Sequence, residues 1–215
     1  MTLSEQTKKI TEEFVTNKPQ KVQHVLMNAF KDLMNSNIGE QALRQGDMAV
    51  DFDLQNAQGG RTSLKELTRQ GPVVLSFYRG GWCPFCNLEF KALHNILPDI
   101  QALGARLVGI SPETPDHSMS TTERHQLQFE VLSDIGNQIA WQYGLVMEVH
   151  PDLHAHYLQW GFNLPEVNGD NSFVLPIPAT YIIDTSGKIS AAYINKDYTQ
   201  RMEPDAIIQA LKAIN

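Results

Sequence analysis

The stretch that most constrains the fold is a strand-like run ending in a turn that opens a helix. "GPVVLSFY" is short, apolar and rich in β-branched residues. "PFCNLEFKALHNILPDIQAL" follows it with Phe85, Leu88, Leu93, Leu97 and Ile100 at helical spacing, and "ARLVGIS" then reads as a second buried strand. Two strands joined through a helix pair in parallel, since only a long crossover returns the chain in the same direction. An amphipathic segment from Asp116 to Leu127 comes next. The last third reads "PATYIID", the turn "TSGK", "ISAAYI" and a helix from Met202 to Ile214, which adds an antiparallel edge.

This order predicts an α/β, thioredoxin-like fold with a central mixed sheet flanked by helices. It occupies residues 46–215, opened by "AVDFDLQNAQGGRTSL", which alternates and then breaks at Gly59-Gly60. Residues 1–45 form an N-terminal helical arm. Thr2 and Glu5 stand at capping-box spacing, and Val22, Val25, Leu26, Ala29, Phe30, Leu33 and Met34 recur every three or four residues. Pro19 divides the arm into two helices. Its apolar stripe is expected to cover the chain's own core or a second subunit, and a homodimer is the second case.

Composition narrows the function. Seventeen basic residues against 24 acidic ones give a net charge of -7 with no Lys/Arg-rich block, which argues against nucleic acid as a partner. The start "MTLSEQTKKITEEF" has no apolar signal region, and no run approaches a membrane span, so a cytoplasmic protein without membrane partners is expected.

The chain has two cysteines, Cys83 and Cys86, in "GGWCPFC". In a reducing compartment such a pair is catalytic or metal-binding more often than structural. With Pro84 at the first helical position, Cys83 falls at the N-cap, where unpaired N–H groups and the helix dipole favour a thiolate. Cys83 is therefore the expected nucleophile and Cys86, one turn further in, its resolving partner. A zinc site would need more ligands, for which only His150, His154 and His156 of "HPDLHAH" offer themselves. Two inert buried cysteines are the other alternative, but that reading leaves the helix-start proline unexplained. No metal and no cofactor is expected.

"WCPFC" after a strand, with "IPATYIID" near residue 180, resembles the thioredoxin superfamily, which implies a cis proline at Pro178 facing the cysteines. "GDMAVDFDLQNAQGGRTSLKEL", "GPVVLSFYRGGWCPFC", "LVGISPETPDH" and "FEVLSDIGNQIAWQYGL" resemble the peroxiredoxin-like branch of the alkyl hydroperoxide reductase/thiol-specific antioxidant (AhpC/TSA) family, across roughly residues 45 to 215. The resemblance implies that Cys83 is the peroxidatic cysteine. Peroxiredoxins typically carry a proline seven residues before it and a threonine or serine three before it, where this chain has Ser76 and Gly80. Many also have an arginine where Pro178 stands. Arg79 and Arg201, the latter in "DYTQRMEP", are the candidate replacements for the missing donors. Trp82 is expected to shield the thiolate, and Tyr157, Trp160 and Phe162 of the long segment 147–175 to line a pocket or anchor that loop. Glu89 and Asp184 are charged neighbours placed outside the site, Asp184 because it opens the "DTSG" turn.

The implied activity is reduction of hydrogen peroxide or an organic hydroperoxide through a Cys83 sulfenic acid, which Cys86 converts to a disulfide that a thioredoxin- or glutaredoxin-type donor resets. A general thiol-disulfide oxidoreductase and a redox sensor use the same two residues.

Overall fold

The computed structural model describes residues 1–214. The chain opens with α1 (Leu3–Thr16) and α2 (Gln20–Asn35), separated at Pro19 as the sequence predicts. The capping box is formed: Glu5 N donates to the Thr2 hydroxyl, and Thr2 N to the Glu5 carboxylate. A hairpin of β1 (Asp53–Asn56) and β2 (Arg61–Ser63) leads through α3 (Leu64–Gln70) to β3 (Val73–Phe77). The crossover is α4 (Pro84–Asn95) and α5 (Leu97–Ala102), followed by β4 (Arg106–Ser111), α6 (Pro115–His125), β5 (Glu130–Ser133) and α7 (Gln138–Gln142). Next come β6 (Val146–Glu148), α8 (Pro151–Gln159), α9 (Leu164–Asn168) and β7 (Val174–Pro176). The chain ends on β8 (Ala179–Ile183), β9 (Ile189–Ile194) and α10 (Pro204–Lys212).

Seven strands make one mixed sheet in the order β2-β1-β5-β4-β3-β8-β9, with β3, β4 and β5 parallel and β8 and β9 antiparallel to their neighbours. β3 is central and buried on both faces, which is why its sequence is apolar without alternation. Val73, Leu75 and Phe77 face a cluster with Phe52, Tyr143 and Tyr181. Val74 and Tyr78 face α4, α5 and α10 through Phe90, Leu93, Ile100, Ile207 and Leu211. The expected single crossover helix is broken after Asn95, where Pro98 opens a second helix because its ring cannot continue the first. β5 and the helices α8 and α9 were not anticipated. β5 is only four residues long, and α8 packs against α2 of the arm, a contact between distant segments.

The arm lies on its own chain. At the start of α1, Leu3 N and Ser4 N donate to the Glu203 carboxylate at 3.0 and 2.8 Å, an acid on a helix N-terminus. At the end of α2, Lys196 Nζ donates to the carbonyls of Met34 and Ser36 at 3.0 and 2.6 Å. Between these ties, Ala29 and Leu33 join a third apolar cluster with Met147, Leu153, Tyr157, Leu175 and Ile177.

Two truncations on α2 test this seating. Leu33, 8% exposed, should cost about 2–3 kcal/mol as Leu33→Ala, whereas Met27, 62% exposed, should change stability by less than about 0.5 kcal/mol as Met27→Ala, both read from urea unfolding midpoints. Equal effects would mean the arm does not pack in this way.

Candidate active site

β3 delivers the chain to the site. Beyond its last residue, Tyr78 and Arg79 are fully enclosed, the chain turns through Gly80 and Gly81, and Cys83 N donates to Gly80 O at 3.1 Å. Gly80 has φ +138°, and a Cβ there would stand 2.3 Å from Trp82 Nε1. A threonine or serine is therefore excluded at position 80 by the indole itself. Cys83 is the N-cap of α4 with Pro84 in the first turn, as the sequence predicts, and Cys86 lies one turn on. Both thiols are free and completely buried.

Two guanidiniums reach this pair. Arg79 Nη1 stands 3.9 Å from Cys83 Sγ while its Nη2 donates to the Tyr157 hydroxyl at 2.5 Å. Its guanidinium carbon lies 4.2 Å from the Tyr198 ring centre and 5.0 Å from that of Trp82, so aromatic faces hold it from two directions. Arg201 Nη2 stands 3.3 Å from Cys86 Sγ and its Nε bonds the Glu89 carboxylate. Arg201 therefore lies against Cys86, not against the proposed nucleophile.

Glu89, placed outside the site by sequence, belongs to it. Its carboxylate is buried, bonds Arg201, and accepts from Ser76 Oγ at 3.4 Å and Thr180 Oγ1 at 3.5 Å. Ser76 and Thr180 are register partners on β3 and β8, so the serine at the family's proline position supplies a hydroxyl to this carboxylate. Spacing offers a signal that could have found it, since Glu89 follows Cys86 by three residues and shares its helix face. Tyr198 was also missed, although it stands in the same phrase as Arg201.

The charges separate the two thiols. Burial works against ionisation of Cys83, but hydrogen bonding from Cys86 and the charges of Arg79 and Arg201 outweigh it and lower its pKa to about 5. Burial, the bond to Cys83 and the Cys83 charge all push Cys86 up. Burial also raises the Glu89 carboxyl, against the pull of Arg201.

Trp82 packs on Tyr157 and Phe162 with ring centres 5.6 and 5.1 Å apart, so residues of 147–175 do line the site. A cavity of about 40 Å³ touches Cys83, lined by Arg79, Trp82, Tyr157 and Tyr198 and by Phe14 of α1 and Leu26 of α2. Pro178 departs from expectation: its peptide bond is trans, and no cis bond occurs among the described residues. β7 pairs only with β6 in a separate two-stranded sheet, and Ile177 and Pro178 join it to β8 of the main sheet through the ordinary trans form of the peptide bond. Ala179 pairs with Phe77, so buried Pro178 does lie at the end of β3 that leads to the cysteines. The three histidines have local partners. His150 caps α8, His154 Nε2 bonds Val149 O at 2.8 Å, and His156 stacks on Trp160. Asp184 accepts from Ser186 and Lys188 amides, as a turn residue should.

Residues 45–192 match the AhpC/TSA family. A chloroplastic peroxiredoxin Q of Gentiana triflora is 26% identical over 152 residues, 71% of this chain and 59% of the relative's own length. That of Populus jackii is 25% identical over 172 residues, covering 80% and 70% of the two chains. The crystal structure of peroxidoxin BcpB from Mycobacterium tuberculosis superposes with a TM-score of 0.63 at 24% identity, covering 80% of this chain and 99% of that one. With a match across well over half of its length and a strand that leads through a short turn to a helix-capping cysteine, the chain belongs to the AhpC/TSA family.

Proposed function

We propose that the protein is a thiol-dependent peroxidase in which Cys83 is the nucleophile and Cys86 resolves it. The observation that carries this reading is the low-pKa Cys83 at a helix N-cap, held beside the buried Arg79 guanidinium and a cavity of about 40 Å³. That volume suits a molecule of a few heavy atoms. Arg79 Nε and Trp82 Nε1 are buried donors without a protein acceptor among the described residues, on two side chains that line the cavity.

The Cys83 thiolate attacks one peroxide oxygen, the O–O bond breaks, and the second oxygen leaves as water or alcohol after taking a proton. Arg79 supports charge at both the attacking sulfur and the separating oxygens. The Cys86 thiolate then displaces hydroxide from the sulfenic acid, which leaves as water, and an intramolecular disulfide remains. A thioredoxin- or glutaredoxin-type dithiol returns two electrons, a chemistry suited to the cytoplasm. The match of residues 45–192 to the AhpC/TSA family supports this reading over a general disulfide oxidoreductase.

Cys83→Ser should abolish peroxide consumption, since a serine hydroxyl is hardly ionised at neutral pH. Cys86→Ser should still be oxidised once, giving a sulfenic acid that dimedone traps and no loss of two hydrogens by intact mass. If Cys83→Ser keeps its activity, or if Cys86 alone is oxidised, the roles are wrong.

The pH profile provides a second check. Because the reactive form is the thiolate, the peroxide reaction of wild type should be flat from about pH 6 to 8 and fall as pH drops through about 5. Arg79→Gln removes one of the charges that lower the pKa, so its profile should shift to higher pH. An unshifted profile would show that Arg79 does not tune Cys83.

A further inference from the structure

The two guanidiniums touch different sulfurs, and the proposed peroxide step uses only one of those sulfurs as nucleophile. Arg201 Nη2 points at Cys86 Sγ from 3.3 Å, while its Nη1 is fixed by the carbonyls of Tyr198 and Gln200 at 2.5 and 2.8 Å and its Nε by Glu89. Every nitrogen of this fork is thus assigned, and one faces the second sulfur. Cys86 is completely buried, so solvent is not at hand to stabilise a negative charge on it. Yet such a charge must form twice per catalytic cycle.

We propose that Arg201 is the catalytic residue of Cys86, stabilising its thiolate both when it closes the disulfide and when it is expelled from it, with Glu89 as the positioning residue that holds Arg201 there. The inference rests on the peroxidase reading above. In closure, the Cys86 thiolate attacks Cys83 sulfur, the S–O bond breaks, and hydroxide leaves with a proton as water. In reset, a donor thiolate attacks Cys83 sulfur, the S–S bond breaks, and its electron pair passes to Cys86 Sγ. A second donor thiol then frees Cys83, so the donor dithiol is oxidised by two electrons and the protein disulfide reduced. Arg201 Nη2 donates to the sulfur that attacks in the first step and leaves in the second.

Glu89 fits the positioning role because its carboxylate joins the arginine to the sheet: Ser76 on β3 and Thr180 on β8 both donate to it. No hydrogen bond links Glu89 directly to either sulfur among the described residues. Its influence on Cys86 passes through the guanidinium it orients. Cys86 is held up by burial and by the Cys83 charge, and Arg201 is the group that pulls it down. The field of Arg201 also reaches Cys83, so a useful variant must leave the net charge of the site unchanged.

The double variant Glu89→Gln/Arg201→Gln does this, since it removes one charge of each sign and leaves neither ion buried alone. Rapid mixing with hydrogen peroxide reads sulfenic acid formation and then disulfide closure, and mixing the oxidised protein with dithiothreitol reads reset. Closure and reset should each slow by about tenfold or more, a larger factor than the slowing of sulfenic acid formation in the same variant. Arg201→Lys, which keeps the charge but loses the fork, should slow the same two steps by a smaller factor and carries the test if the double variant does not fold. Closure and reset at wild-type rates, or an equal loss in all three steps, would overturn the assignment. A wild type that forms neither sulfenic acid nor disulfide with peroxide would overturn the peroxidase reading itself, a result the variants cannot imitate.

Discussion

Two thiols and two guanidiniums have been taken out of water together, and the rest of the structure is arranged around keeping that group intact. A buried arginine without a partner would cost several kcal/mol, so each one here is committed. Arg79 bonds Tyr157 and lies between the rings of Tyr198 and Trp82. Arg201 bonds Glu89 and two backbone carbonyls. Arg79 Nη1 and Arg201 Nη2 are left to face sulfur, at 3.9 and 3.3 Å. Neighbouring sulfurs that both ionised would repel each other, and the chain resolves this by lowering Cys83 and raising Cys86. The asymmetry fits the proposed roles, one thiol as nucleophile and the other as its resolving partner.

This group needs walls that the core domain does not supply alone. Tyr157 is carried by α8, and α8 is seated by Ala29 and Leu33 of α2 through the third apolar cluster. Phe14 and Leu26 line the cavity that touches Cys83. A helical arm that ends 48 residues before Cys83 therefore contributes two apolar side chains to the lining of the site, and apolar surroundings strengthen the pull of Arg79 on the thiolate. The arm is tied at both ends, by Glu203 on α1 and by Lys196 on α2, so its packing is not left to apolar contact alone.

The departures from the family pattern become intelligible in the same terms. Gly80 replaces a hydroxyl-bearing residue because the Trp82 indole fills the space that a side chain would need. Ser76 replaces a proline and hands its hydroxyl to Glu89, the carboxylate that anchors Arg201. The missing hydroxyl at position 80 thus coincides with a second buried cation beside the cysteine pair. The two changes belong to one rearrangement of the site.

Local pattern carried the β-α-β unit, the N-cap position of Cys83, the capping box at Thr2 and the break at Pro19, because each depends on residues within a turn or two of one another. Arg79, four residues from Cys83, was legible for the same reason. Tertiary structure decided everything that joins distant segments. It placed Arg201 on Cys86, made Glu89 part of the site through a contact 112 residues away, brought Tyr157 to Arg79, and kept the Pro178 bond trans between β7 and β8. Spacing along a helix or strand records which residues share a face. It does not record which buried charge will find which partner, because that depends on how separate elements pack.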